Sequence, residues 1–223
     1  MLVRLKSSPK QDAGPLATLA GDRVTCSDFQ YLKLTEIFGE GEAAEYVYQL
    51  TSGAVRTYKL LADGRRQINA FHLPGDIFGI ENGDVYRFSA DAILATTVRV
   101  VKRHNLFDGF DPQGVGLTTR LLRLVTSNLR HAEDHMLLLG RKTSVEKVAT
   151  FLLEMDERLG SPTVMALPMN RRDIADYLGL TLETVSRALA KLRKRNLIRV
   201  TGGNFRDLVL LNRGALAEVN EQD

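Results

Sequence analysis

The 223-residue chain predicts an α+β protein with an N-terminal antiparallel β-barrel, a long helix and a C-terminal winged helix-turn-helix. Three observations carry that expectation. Short β-prone runs punctuated by glycine turns occupy residues 46–71, and apolar residues recur on two faces of a helix between 111 and 139. Residues 170–197 then read as two helices about a tight turn, and a hairpin follows them. Such a length is about one and a half typical domains, enough for a barrel and a small helical module.

The first segment, residues 1–15, is expected to be a mobile arm, with Ser7–Gly14 at its centre. In the barrel region, 16–110, Tyr46–Leu50, Ala54–Tyr58 and Gln67–Phe71 read as strands. Ser52-Gly53, Asp63-Gly64 and Pro74-Gly75 mark turns between and after them. Several short strands at this spacing suggest an antiparallel barrel or sandwich. In that setting the glycines serve backbone geometry and are no sign of a ligand.

The helix expected over 111–140 carries Leu117, Leu121, Leu124, Asn128, His131, His135 and Leu138 in alternating four- and three-residue steps. That is a heptad seam, which can pair with a second copy, Asn128 then fixing the register, or lie as a single helix in one domain's groove. A second stripe of Leu122, Val125, Leu129 and Met136 is expected to pack back on the barrel or the next domain.

The C-terminal domain is expected over 141–223. Thr143 and Glu146 form a capping box, Val145, Val148, Ala149, Leu152 and Leu153 follow at helical spacing, and Gly160 and Pro162 stop that helix. Asn170 and Asp173 form a second box, Ile174, Tyr177 and Leu178 mark one apolar face, and Gly179 ends the helix. Thr181 starts a second helix with Val185, Leu189 and Leu192 inward. A short helix, a glycine-containing turn and a second helix form the pattern whose second helix enters the major groove of DNA. Leu197–Val200 and Asp207–Leu211, joined through Gly202-Gly203, read as a hairpin wing, and Arg213–Val219 as a final helix.

Residue chemistry on the second helix points the same way. Arg187 carries a planar fork that can bond O6 and N7 of a guanine, and Glu183, one turn earlier, can accept from N4 of a cytosine. Leu182 and the methyl of Thr184 can meet a thymine methyl. Asn170, Arg171, Arg172, Thr181, Thr184 and Lys191 are expected against phosphates, the residues at the helix start near Asn170 facing the backbone where amides and cations hold it. Between Asn170 and Arg213 ten basic residues face four acidic ones. This stretch alone is therefore +6 in a chain whose total is +3. Phosphate neutralisation by such a patch supplies salt-dependent affinity for double-stranded DNA.

Glu183-Thr184-Val185-Ser186-Arg187 resembles the E-x-V-S-R signature of the Crp/Fnr family of bacterial transcription regulators, in its Fnr and FixK branches. Asn170–Gly179 is similar to that family's first helix, and Leu182-Glu183 looks most like the FixK group. Weaker similarity runs from about Leu16, where Leu50–Gly53 and Leu73–Asp76 look like turns of a cyclic-nucleotide-binding-type β-roll. The resemblance implies a homodimer on a TTGA-N6-TCAA palindrome, with Leu182, Glu183 and Arg187 as readers and Ser186 adding a thymine contact. It also implies contact with RNA polymerase, activation, and low-oxygen or nitrogen-fixation genes as targets.

The remaining observations bear on effectors. In the cyclic-AMP-binding branch, a Gly-Glu pair and an Arg-Ser or Arg-Thr pair hold the phosphate. Here Glu81 is displaced by one residue from Gly79, and Phe88 separates Arg87 from Ser89. The pocket reads as degenerate, so no small-molecule ligand and no cofactor are expected; the alternative is a ligand-gated regulator of the same fold. The Fnr branch's iron–sulfur cluster needs four cysteines, and this chain has only Cys26, which reads as a small buried hydrophobe. His131 and His135 share a helix face without nearby ligands and read as surface residues, so no metal is expected. One cysteine and no long apolar run fit a cytoplasmic protein away from membranes. No nucleophile–base pair, P-loop or paired carboxylate points to an enzyme.

Overall fold

The computed structural model describes residues 3–4, 14–16, 26–107, 115–141, 143–201 and 206–219. Contacts divide the chain into two units, Met1–Asn128 and Leu129–Asp223. The boundary falls inside the long helix, which therefore serves both units rather than standing between them.

In the first unit, β1 (Val3–Arg4), β2 (Ser27–Tyr31), β9 (Thr96–Lys102), β4 (Tyr46–Ser52) and β7 (Ile77–Phe78) form one sheet in that order. A second sheet holds β3 (Glu36–Phe38), β8 (Ser89–Ala92), β5 (Val55–Leu60) and β6 (Arg66–His72). All pairings are antiparallel. β1 lies within the expected arm, while most of that arm falls outside the described residues. Gly53 turns the chain from β4 into β5 at φ +92°, and a Cβ there would sit 2.6 Å from the Ala95 carbonyl oxygen, so only glycine fits.

Phe38, Tyr48 and Phe78 from these strands and Tyr86 from the loop before β8 enter one cluster with Tyr31, Leu50, Val55 and Val98. The rings stack: Phe38 on Tyr86 at 3.8 Å between centroids and Tyr48 on Phe78 at 5.2 Å. Buried hydroxyls need partners, and Tyr86 donates its O–H to the Tyr46 carbonyl at 2.8 Å. A second cluster gathers Leu16, Val47, Ile77, Val101 and Leu106, the last from helix α1 (Arg103–Phe107). Cys26 packs against it, as a small hydrophobe would, and burial pushes its thiol pKa up.

Helix α2 spans Val115–Arg141. Within the single chain its two stripes differ in burial, and the second does not pack back as expected. Leu121 and Leu124 pack on the second cluster of their own unit, and Leu138 is buried. His135 stacks on Tyr177 at 4.0 Å, with Nε2 2.9 Å from the Tyr177 carbonyl, and His131 Nδ1 lies 3.7 Å from Glu154. Of the seam residues only Asn128 is fully exposed, and the side chain of Leu117 lies outside the described residues. Leu122, Val125, Leu129 and Met136 instead face outward, each more than half exposed. Ala132 is exposed on the same face and completes an unbroken three–four repeat. Physically, His135 finds a hydrogen-bonding partner and His131 a carboxylate within their own chain, which an intersubunit seam would have to supply otherwise.

The second unit continues with α3 (Ser144–Arg158), β10 (Met165–Ala166), α4 (Arg171–Leu178) and α5 (Leu182–Lys194). β11 (Ile198–Thr201), β12 (Asp207–Leu210) and α6 (Arg213–Glu218) complete it. The capping box of Thr143 and Glu146 starts α3 as expected. β12 lies between β10 and β11 in a three-stranded sheet; the wing turn at Gly202–Asn204 lies outside the described residues. Phe151, Leu152, Met155, Tyr177, Leu178 and Leu192 form the unit's interior. Arg213 ties α6 to α3 by donating from Nε and Nη2 to Asp156 at 2.7 and 2.9 Å, holding that carboxyl's pKa below its usual value.

Burial lowers the pKa of His135, an effect partly offset by the Tyr177 carbonyl. The folded unit thus favours neutral imidazole, and this contribution to stability is complete above the usual imidazole value near 6.5 and lost as pH falls below it. Melting temperature should decline between about pH 7 and 5. In His135→Phe, which keeps a ring on Tyr177, that decline should be shallower. Identical pH profiles for the two proteins would contradict this account.

Candidate nucleic-acid interface

The helix-turn-helix is set by local bonds that its residue types dictate. Asn170 Oδ1 accepts from the Asp173 amide at 2.9 Å, and Asp173 Oδ2 accepts from the Asn170 amide at 3.2 Å. Two orphan donors at the start of α4 are thereby satisfied. Gly179 takes the left-handed conformation, φ 62° and ψ 38°, and the Leu180 amide returns to the Ala175 carbonyl at 2.9 Å. Thr181 opens α5 by accepting from the Thr184 amide at 3.2 Å.

Val185, Ala188, Leu189 and Leu192 bury one side of α5. At 100° per residue the opposite side carries Glu183, Arg187, Ala190, Lys191 and Lys194, all exposed, with Leu182, Thr184 and Ser186 half-buried at its margins. The four expected base readers therefore share one outward surface. Ala190 lies at the centre of that surface and was absent from the sequence-based set. Its methyl leaves the helix surface open at that point, a feature signalled only by small size at an outward position.

Each reader has a distinct electrostatic setting. The Glu183 carboxyl is held below its usual range, first by its own amide at the helix N-terminus, then by the Thr181 hydroxyl and the nearby Arg172 and Arg187. At neutral pH it is a pure acceptor, matched to an amine such as cytosine N4. Arg187 Nη2 donates to Thr184 Oγ1 at 3.3 Å, a partner that residue spacing did not suggest. Thr184 Oγ1 lies 3.0 Å from Thr181 Oγ1, so a chain of two hydroxyls steadies the guanidinium fork.

Of the expected phosphate ligands, Asn170, Arg172, Thr181 and Lys191 are exposed. Arg171 is half-buried, and its Nη1 donates to Ser186 Oγ at 3.3 Å. Lys191, Arg193 and Lys194 occupy the last turn of α5, where the helix dipole favours cations.

In the β-roll, the expected nucleotide landmarks engage each other. Glu81 accepts from Arg87 Nε at 3.0 Å and from the Arg87 amide at 3.3 Å. The Arg87 guanidinium lies 5.7 Å from the Phe88 ring. Among the described residues no group of His, Cys, Asp and Glu suits a metal ion, and no helix is long and apolar enough to cross a membrane.

A β-roll, a long helix and a winged helix-turn-helix with a basic outward face define a DNA-binding transcription regulator. Residues 29–111 match the cyclic nucleotide-binding domain and residues 146–219 the Crp-like helix-turn-helix domain. The nitrogen fixation regulation protein FixK of Rhizobium meliloti is 41% identical over 88% of this chain and 87% of its own. FixK of Azorhizobium caulinodans is 45% identical over 85% of this chain and 77% of its own. The structure of FixK2 from Bradyrhizobium japonicum superposes with a TM-score of 0.83 at 55% identity, covering 90% of this chain and 100% of that one. This chain belongs to the Crp/Fnr family and is FixK-like; its relatives are regulators, not enzymes.

Proposed function

We propose that the protein is a homodimeric, effector-independent activator that binds a TTGA-N6-TCAA palindrome. The observation that carries this reading is the outward face of α5, where Glu183, Arg187 and the small Ala190 stand together, bordered by Leu182 and Ser186. Arg187 reads guanine and Glu183 its paired cytosine, while Leu182 and Ser186 meet thymines. Asn170, Arg172, Thr181, Thr184 and Lys191 hold phosphates on either side.

Dimerisation uses the exposed stripe Leu122, Val125, Leu129, Ala132 and Met136, whose three–four spacing suits a two-helix seam. A two-fold dimer places its recognition helices about one DNA turn apart, in keeping with half-sites whose centres lie about ten base pairs apart. Effector independence is supported by the stacked rings of Phe38, Tyr48, Phe78 and Tyr86 between the sheets and by the Glu81–Arg87 pair. Activation proceeds through contact with RNA polymerase beside the bound site in the cytoplasm. The regulated genes serve nitrogen fixation, as the relatives' names suggest, and low-oxygen respiration, as the FixK-like recognition helix implies.

A gel shift with purified protein and no added ligand tests the reading. The palindromic duplex should be retarded at concentrations at least tenfold below those needed for a scrambled duplex. Equal affinity for both, or a shift seen only with a cyclic nucleotide, would refute it. In vitro transcription from a promoter carrying the upstream palindrome should rise with added protein and fall back in Glu183→Ala.

A further inference from the structure

We infer that Arg171 is a positioning residue that sets Ser186 as a hydrogen-bond donor, so that the base read by Ser186 presents an acceptor and cytosine is excluded. The inference deepens the DNA-reading proposal and rests on α5 entering the major groove. Residue spacing alone places Arg171 on a phosphate, because it occupies the first position of α4. The structure turns it elsewhere. Arg171 is half-buried, its Nε is shielded from solvent, and Nη1 donates to Ser186 Oγ at 3.3 Å, across the helix-turn-helix and fifteen residues away.

The chemistry follows from what a hydroxyl can do. Serine has one O–H donor and two acceptor lone pairs. Arginine can only donate, so this contact uses a lone pair and leaves the proton to point elsewhere. Accepting from a cation also polarises the O–H and makes it a stronger donor. A second N–H approaching the same oxygen would meet the positive charge of Arg171. Ser186 lies at the margin of the outward face, one turn after Leu182 and beside Arg187. In the major groove, thymine offers O4, guanine O6 and N7, and adenine N7 as acceptors, whereas cytosine offers only its N4 donor. Ser186 held by Arg171 therefore favours a base with an acceptor at one base pair and disfavours cytosine there.

The test is quantitative binding to a panel of duplexes in which each pair of the half-site is replaced in turn. It uses full-length wild type, Arg171→Met, Arg171→Lys, Ser186→Ala, Ser186→Thr and the double variant Arg171→Met/Ser186→Ala. Wild type should discriminate against cytosine at one pair by about tenfold, the size of a usual single mismatch. In Arg171→Met and in Ser186→Ala that discrimination should fall below about twofold at the same pair, while the guanine preference is kept. The double variant should lose no more than either single one, and Arg171→Lys and Ser186→Thr should restore part of the discrimination. Because the Ser186 variants leave the buried Arg171 stem in place, they carry the test even if Arg171→Met unfolds. Uniform weakening by Arg171→Met on all duplexes, with a salt slope smaller by about one, would make Arg171 a phosphate ligand and overturn the inference. Undiminished discrimination in Ser186→Ala would also overturn it. Absence of any sequence preference in wild type would sink the DNA-reading proposal itself, and this inference with it.

Discussion

Leu129→Glu should leave the protein monomeric and lower its affinity for the palindromic duplex by at least about a hundredfold, the usual gain from linking two binding modules. In the single chain Leu129 is 56% exposed, so the substitution leaves each folded unit intact. In a seam of Leu122, Val125, Leu129, Ala132 and Met136 the same carboxylates would face each other without counter-charge. An unpaired ion taken out of water costs several kcal/mol. Leu121→Glu is the informative contrast. Leu121 packs on the Leu16–Val101 cluster of its own unit, so a charge there should lower the melting temperature rather than dissociate a dimer selectively. Sedimentation velocity and gel shifts on both variants separate the cases. A Leu129→Glu protein that stays dimeric would move the interface to another surface.

Arg187→Ala should cost about 1–3 kcal/mol on the preferred duplex and flatten the preference at the guanine. Removing the fork leaves Thr184 without the guanidinium that Nη2 reaches at 3.3 Å. Thr184→Val should reproduce part of the effect, because it removes the acceptor that steadies the fork. Arg172→Ala provides the comparison. That residue is exposed near the start of α4, where a cation serves the phosphate backbone. Its loss should weaken all duplexes alike and reduce the salt slope by about one. Competition titrations at several salt concentrations would resolve the two patterns, and uniform weakening by both variants would refute the division of labour.

Legibility in the sequence follows the range of the interactions concerned. The helix-turn-helix is written in contacts three or four residues long, so the Asn170–Asp173 box, Gly179 and the Thr181 cap could be placed from residue order alone. The β-roll was legible only where longer β-prone runs meet glycine turns, at β4, β5 and β6. β7 is two residues long and β3 three, too short for a period to show. Their aromatic side chains become meaningful only when Phe38 and Phe78 meet Tyr48 and Tyr86 across the interior. On α2 both stripes have heptad-like spacing, and long-range packing chooses between them. What could have told them apart is polarity, since one stripe contains Asn128, His131 and His135 and the other is wholly apolar once Ala132 is included. Ala190 carries no signal in the sequence, because the part proposed for it rests on the absence of a bulky side chain. Arg171 was assigned by its position on α4, while its partner Ser186 comes from the next helix.

The exposed apolar stripe on α2 also shapes how such a regulator answers to its own abundance. In the proposed dimer, two chains must meet before both half-sites can be held. Below the dissociation constant of the dimer, the number of competent molecules therefore rises with the square of chain concentration. Doubling the rate of synthesis then raises promoter occupancy about fourfold, by mass action alone. As the proposed dimer seam, that bare helix face turns a graded change in expression into a sharper transcriptional response.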